Sequence, residues 1–324
     1  MIQKITNMNV FKSVFILSAI VLLQGCGGNL IKNKDTSQES AKSETLAVNK
    51  ATAPNQATTN LTVSDTKDIL GYWVGMFKPD KNAGYISTGE EDAWNFENKI
   101  NLSIDQIDND QVKGHSVVAG NDRPFAGKLT KDGKIFHFSV KEPGDDKYDG
   151  AFDFYIIQGD STLTGTWKAN NKINIPNRHY NLKKTIFRYD PNVELDKGNR
   201  YIDWVKNKKV SPNDRQYRAA YDVSYFTTTY DLYKYNPSDS LLTVEQVSNL
   251  KKADLFILRN SIYARHGYSF KNQQLRAYFD REPWYIPIST DVKSELTDIE
   301  KKNIELLMRY EKNAKEYYDV FGRG

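Results

Sequence analysis

Arg259, Asn260, Tyr263, Arg265 and His266 crowd hydrogen-bonding side chains into about two helical turns. Leu255, Leu258 and Ile262 recur at three- and four-residue steps, and Gly267 stands where a helix closes in the left-handed conformation, so the spacing predicts a helix. On it, Arg259, Tyr263 and His266 share a face. Two readings of this cluster stand side by side. In one, Arg259, Arg265 and His266 form an anion or glycan site, with Tyr263, Trp284 and Tyr285 as a stacking wall, because guanidinium forks suit carboxylates and phosphates. In the other, the arginines pair internally with carboxylates such as Asp280 or Glu305, Tyr263 and Trp284 fill a small core, and His266 caps carbonyls at the helix end. Catalysis by His266 has less to stand on. No Cys lies nearby, and no Ser or Asp stands in a recognisable triad order.

The elements that must hold this cluster are helices. Thr243-Val244-Glu245-Gln246 is a capping box that starts a short helix toward Leu250, and Asp254 suits the amino end of the motif helix. Asn272 to Phe279 predicts a third helix, followed by Trp284-Tyr285 between Pro283 and Pro287. Thr297-Asp298-Ile299-Glu300 is a second capping box, opening a long helix with Ile299, Asn303, Leu306, Leu307, Tyr310 and Ala314 on one stripe. The literal Tyr-Ala-Arg-His-Gly, led by Arg-Asn and Ile-Tyr and followed by Tyr278-Phe279 and Trp284-Tyr285, resembles the YARHG domain. The resemblance implies a small extracytoplasmic module of bacterial envelope proteins, here residues 241–321; it implies a compartment and no reaction.

Upstream the period changes to two. Tyr72 to Phe77, Ile100 to Ile104, Val112 to Ala119, Phe125 to Leu129, Phe136 to Val140, Phe152 to Ile156, Leu163 to Trp167 and Tyr180 to Arg188 predict eight strands with hairpin-length links, Asp132-Gly133 being the strongest turn. A meander of this size hides its edges by closing into an up-and-down barrel, with a two-sheet sandwich as the competing solution. Gly71-Tyr72-Trp73 resembles the Gly-x-Trp signature of the lipocalin group, which implies a basic residue of the last strand, Lys184 or Arg188, over the Trp73 ring. The expected fold is therefore α+β: an antiparallel eight-stranded lipocalin-like β-barrel over residues 67–190, a connector over 191–240, and the small all-α YARHG module. In the connector, Tyr201 to Val205 and Arg215 to Tyr221 suggest short helices, and Val223 to Tyr235 reads as strand. Phe136, Phe138, Phe152 and Phe154 are either plain core or the wall of a pocket for a small apolar ligand. His115 and His137 lie in strands with no carboxylate or second His at ligand spacing, His179 sits in a loop-like stretch after Pro176, and nothing in the chain calls for a metal or a cofactor.

The first residues place the chain. Lys4 and Lys12 flank a polar start, and the apolar run Ser13 to Leu23 is shorter than the roughly 20 residues a membrane span needs, which fits a secretory signal. Leu23-Gln24-Gly25-Cys26 follows and resembles a bacterial lipobox. The resemblance implies removal of residues 1–25, lipidation of Cys26 and attachment to a membrane leaflet; Gly27 after it favours the outer membrane. Cys26 is the one cysteine of 324 residues, so no intrachain disulfide can form. Residues 26–66 are rich in Ser, Thr, Asn, Gln, Lys and Ala and read as a tether. With 45 Lys and Arg against 41 Asp and Glu, composition gives no case for nucleic-acid binding. The expectation is a lipid-anchored envelope lipoprotein that binds or scaffolds an envelope glycan or protein. A carrier of a small apolar ligand comes second, and an envelope hydrolase using His266 third.

Overall fold

A computed structural model describes residues 66–80, 96–208 and 224–314. Cys26 and the signal and tether expected around it lie outside the described residues, as does the helix expected at Arg215 to Tyr221. The alternating segments form eight antiparallel strands: β1 (Gly71–Pro79), β2 (Asn98–Asp108), β3 (Gln111–Val118), β4 (Asn121–Asp132), β5 (Ile135–Lys141), β6 (Gly150–Ile157), β7 (Thr162–Ala169) and β8 (Asn177–Thr185). Each pairs with the next, and β1 pairs with β8, so the sheet is a closed barrel and the sandwich alternative falls away. Closure satisfies both edges of the sheet within the chain.

Alternation decides what faces inward. Phe136, Phe138 and Val140 are buried while His137 and Ser139 are exposed, and Phe152, Phe154 and Ile156 are buried while Asp153 and Tyr155 are exposed. Inside, Phe77 lies 5.6 Å from Trp167 and 5.9 Å from Tyr180, and Phe138 stacks on Phe154 at 4.6 Å. Phe138 and Phe154 thus belong to packed interior. The recess beside them is lined by His137, Asp153, Tyr155, Thr166 and His179, all of them outward positions, and it lies on the barrel's exterior.

Next come β9 (Ile202–Lys208) and β10 (Ser224–Thr227), a two-stranded antiparallel sheet. The short helix expected at Tyr201 to Val205 is therefore a strand; the β-branched Ile202 and Val205 suit it. The strand expected to reach Tyr235 stops at Thr227, and Tyr230–Lys234 is a single 3-10 turn whose N-cap is Thr229. The helices are α1 (Val244–Val247), α2 (Lys252–Arg265), α3 (Gln273–Phe279) and α4 (Asp298–Asn313). Both capping boxes form as the sequence predicts, Thr243 with Gln246 and Thr297 with Glu300. α2 is the central element. Ala253, Leu255, Leu258, Ile262 and Ala264 are buried together with Asp254, Asn260, Ser261 and Arg265, and only the face of Lys252, Phe256, Arg259 and Tyr263 is half-buried. Leu195, Tyr201 and Leu232 from before the helices join the same core. α4 is amphipathic around Ile304 and Leu307; Ile299, expected on its apolar stripe, is 39% exposed.

Candidate functional site

Among the described residues, one end of the barrel is sealed and the other is open. At the sealed end Trp73, 1% exposed, donates its indole N–H to the Ile69 carbonyl at 2.9 Å. Lys184, its register partner on β8, holds its ammonium 4.8 Å from the indole centre and donates to the carbonyls of Ile69 and Leu70. Of the two basic residues expected over the ring, Lys184 and Arg188, Lys184 takes the place. Burial lowers its pKa to about 8.

At the open end a cavity of about 640 Å³ is floored by Phe77, Phe152 and Trp167. Three charged residues stand there in phase with the core: Arg123 with Phe125, Glu142 with Val140, and Arg178 with Tyr180. Arg123 donates to Asp149 at 3.0 Å and Asp146 at 3.3 Å. Glu142 accepts from Gly150 N–H at 2.7 Å, Ser116 Oγ at 2.9 Å and Trp167 Nε1 at 3.4 Å. Burial raises its pKa despite these donors. Arg178 donates through Nη1 to the carbonyls of Phe77 (2.8 Å) and Phe96 (3.0 Å), with its guanidinium 5.0 Å from the Phe77 ring centre.

The helical cluster is differently arranged. Arg265 is 4% exposed. Its Nε and Nη2 donate to the Val193 carbonyl at 3.0 and 2.8 Å, and its Nη1 to Ser261 Oγ at 2.8 Å. Its guanidinium also lies 5.8 Å from the Trp284 ring centre. His266, 5% exposed, hydrogen-bonds through Nε2 to Glu300 Oε2 at 2.7 Å and stacks on Tyr189 at 4.2 Å, while Tyr189 donates to Glu300 Oε1 at 3.1 Å. Arg259 grips Glu311 with two bonds of 2.8 and 3.2 Å. Neither arginine pairs with Asp280 or Glu305, the acids the sequence suggested; sequence distance gave no view of Glu311 one helix away. Tyr285 is buried and donates to the Tyr268 carbonyl at 2.7 Å. Arg259 and Tyr263 border one shallow cleft of about 330 Å³, and Arg265 borders another of about 90 Å³. The six residues do not line a common wall. Tyr189 and Val193 lie just after the last barrel strand, so the signature holds the incoming chain against α2.

Residues 228–312 match the YARHG domain. No curated protein matches the chain. Among solved structures, the chain is similar to fatty-acid-binding protein 1 of Echinococcus granulosus, at 13% identity over 37% of this chain and 99% of that one, with a TM-score of 0.22.

The YARHG module touches the barrel at the rim of its open end. The Lys99 N–H donates to Asp280 Oδ2 at 2.8 Å, and Lys99 Nζ donates to the carbonyls of Glu282 (2.7 Å) and Tyr285 (3.1 Å). Burial raises the Asp280 carboxyl and lowers the Lys99 ammonium, each opposed by the other's charge. Gly120, at φ 73 in the two-residue turn between β3 and β4, donates to Ser269 Oγ at 2.9 Å. A side chain there would collide with the Lys271 backbone. Arg276 of α3 donates to Asn98 Oδ1 at 3.1 Å and lines the mouth. Lys99→Ala should raise hydrogen exchange at the Gly120 amide about tenfold, the equivalent of one or two lost hydrogen bonds of roughly 1 kcal/mol each. Unchanged exchange would mean that the contact at Lys99 does not fasten the two bodies.

Glu300 gives the YARHG module an acid limit. Burial pushes its carboxyl up, but hydrogen bonds from His266, Thr297 and Ser238 outweigh this and bring it below the usual 4.5. A carboxyl depressed in the folded state favours folding fully above its unfolded pKa, and that contribution fades as pH falls through the folded value. Thermal melts from about pH 6 to about pH 3, across the usual carboxyl range, should show this loss, and Glu300→Gln should flatten it. An equally steep acid limb in the variant would assign the loss to other carboxyls.

Sequence reasoning passed over Arg123, Glu142, Arg178 and Arg276. The first three carried a signal: each is a charge at a strand end, in phase with buried positions. Arg276 carried none, because its place at the mouth depends on how α3 meets β2.

Proposed function

We propose that this is a non-catalytic, lipid-anchored protein of the bacterial cell envelope, in the outer membrane, whose barrel takes up a small apolar or amphipathic molecule at its open end. The YARHG module braces that end. The observation that carries the reading is the cavity of about 640 Å³ with an aromatic floor, inside the size range of small-molecule sites. The depth of His266 and Arg265, 5% and 4% exposed, takes away the access a hydrolase would need and leaves the signature an internal role. The lipid attachment rests on the lipobox at Cys26, and the carrier role on the barrel alone.

Two measurements test this. A neutral naphthylamine fluorophore should bind the full chain at one site, and Val118→Trp, which fills the mouth, should weaken binding by at least about tenfold. Binding unaffected by Val118→Trp would place the ligand elsewhere. Labelled palmitate should enter the chain in bacterial cells and be absent from Cys26→Ala; label retained in that variant removes the anchor.

A further inference from the structure

The signature helix has a second face. Arg265 and His266 are buried, but Arg259, Asn260 and Tyr263 border the cleft of about 330 Å³ between α2 and residues 290–293. The Ser269 N–H donates to the Ser289 carbonyl at 2.8 Å and the Ser289 N–H to the Gly267 carbonyl at 3.2 Å, which lays this segment beside the chain leaving the helix. Val292 is buried at the cleft, and Tyr263 and Tyr268 stand half-buried there, ring centres 6.1 Å apart. Asn260 is 6% exposed, and its Nδ2 donates to the Phe256 carbonyl at 2.8 Å, which fixes the amide. Its Oδ1 accepts no hydrogen bond from the described residues, and the hydroxyls of Tyr263, Tyr268 and Thr290 have no partner among them either. A buried acceptor open only to a cleft is costly unless water or a ligand brings the donor. Charge at the cleft is balanced. Arg259 is closed on Glu311 with two bonds, and Lys293 stands beside Asp291, whose Oδ1 accepts the Lys293 N–H at 3.0 Å. No net field draws an anion there.

We propose that this cleft of the YARHG module binds one neutral sugar ring, a hexopyranose, with Tyr263 and Tyr268 against its C–H face and Asn260 Oδ1, Thr290 and Asp291 on its hydroxyls. Tyrosine joins an apolar ring to a hydroxyl that both donates and accepts, and it has few torsions to freeze on binding. Acceptors and hydroxyls set side by side match a ligand whose polar groups are themselves hydroxyls; an anion would need donors alone. The volume is at the small end of small-molecule sites, which suits a single ring. The site is separate from the barrel's mouth, and its failure leaves the reading of the mouth untouched.

The test is an NMR titration of the full chain with methyl β-glucoside, N-acetylglucosamine and, as the anionic counterpart, glucuronate. At least one neutral sugar should bind with a Kd on the order of 1–10 mM and shift the amides of Tyr263, Tyr268 and Thr290 to Lys293. Glucuronate should bind no more tightly, and salt should leave the neutral sugar's affinity alone. Tyr263→Phe should weaken binding about fivefold, the worth of one hydrogen bond, and keep its thermal midpoint, because the hydroxyl has no partner to lose among the described residues. Amides unmoved by either neutral sugar at about 50 mM, well above such a Kd, overturn the proposal. Glucuronate bound about tenfold more tightly, with a margin that shrinks in salt, makes the cleft an anion site and overturns the neutral class. Unchanged affinity in Tyr263→Phe removes the cleft from binding. Should that variant fail to fold, the map of shifted amides in the unmodified chain decides: shifts confined to other regions overturn the site.

Discussion

Arg265→Ala should unfold the YARHG module instead of blunting a surface site. The guanidinium sits inside the core with three hydrogen bonds, two to the Val193 carbonyl and one to Ser261, and it faces Trp284. Burial lowers its pKa only to about 10, so it remains charged at neutral pH, with Glu300 as its largest favourable partner. Truncation takes both donors from the half-buried Val193 carbonyl, removes a cation from beside Glu300 and opens a void. Together these should cost about 3–5 kcal/mol, a large share of the stability of so small a core. Arg265→Lys should recover less than half of this, because one ammonium cannot reproduce two parallel bonds to a single carbonyl. Urea unfolding followed by tryptophan fluorescence measures both. A well-folded Arg265→Ala chain, with its midpoint unmoved, would make this arginine a surface recognition residue after all.

Trp73→Ala should open the barrel at the β1–β8 seam. The indole is buried, hydrogen-bonded to Ile69 and covered by Lys184, whose stem and charge lie across its face. The substitution removes the largest side chain at the sealed end and strands the Ile69 carbonyl with Lys184 alone. Large-to-small changes of this kind cost about 3–5 kcal/mol. Trp73→Phe keeps most of the volume and loses the indole N–H bond, so it should cost nearer 1–2 kcal/mol. Thermal melts of the two variants give the comparison. Equal losses would mean that the hydrogen bond, not the packed ring, holds the seam. A loss under about 1 kcal/mol in Trp73→Ala would mean that the end is already loose.

Local chemistry is what made the rest of the chain readable. All eight barrel strands formed, and alternation is cleanest on β5 and β6, where a one-residue slip would turn every phenylalanine outward; on β2 the polar Asn101 and Ser103 are buried along with Ile100, Leu102 and Ile104. The capping boxes held because they are complete within four residues. The short helix expected at Tyr201 to Val205 is a strand because its partner, Ser224 to Thr227, supplies the ladder from a distance that no local window includes. The motif cluster showed a similar limit. Its side chains were visible as a dense polar group, but its acceptors, Val193, Glu300 and Glu311, lie 72, 34 and 52 residues away.

The sequence by itself determined that eight alternating strands precede a YARHG-like helical module and where the two capping-box helices begin, since these depend on neighbours within a turn or on strict alternation. That the strands close as a barrel and that Lys184, not Arg188, covers Trp73 was decided by the seam between β1 and β8. Only the tertiary structure decided that Arg265 and His266 are interior ties and that Arg276 reaches the barrel's mouth. Those outcomes depend on which surfaces of two separately patterned bodies come together. A side chain's chemistry is written in its own residue, but whether it faces water, a carbonyl or a cavity is set by chain that arrives from elsewhere.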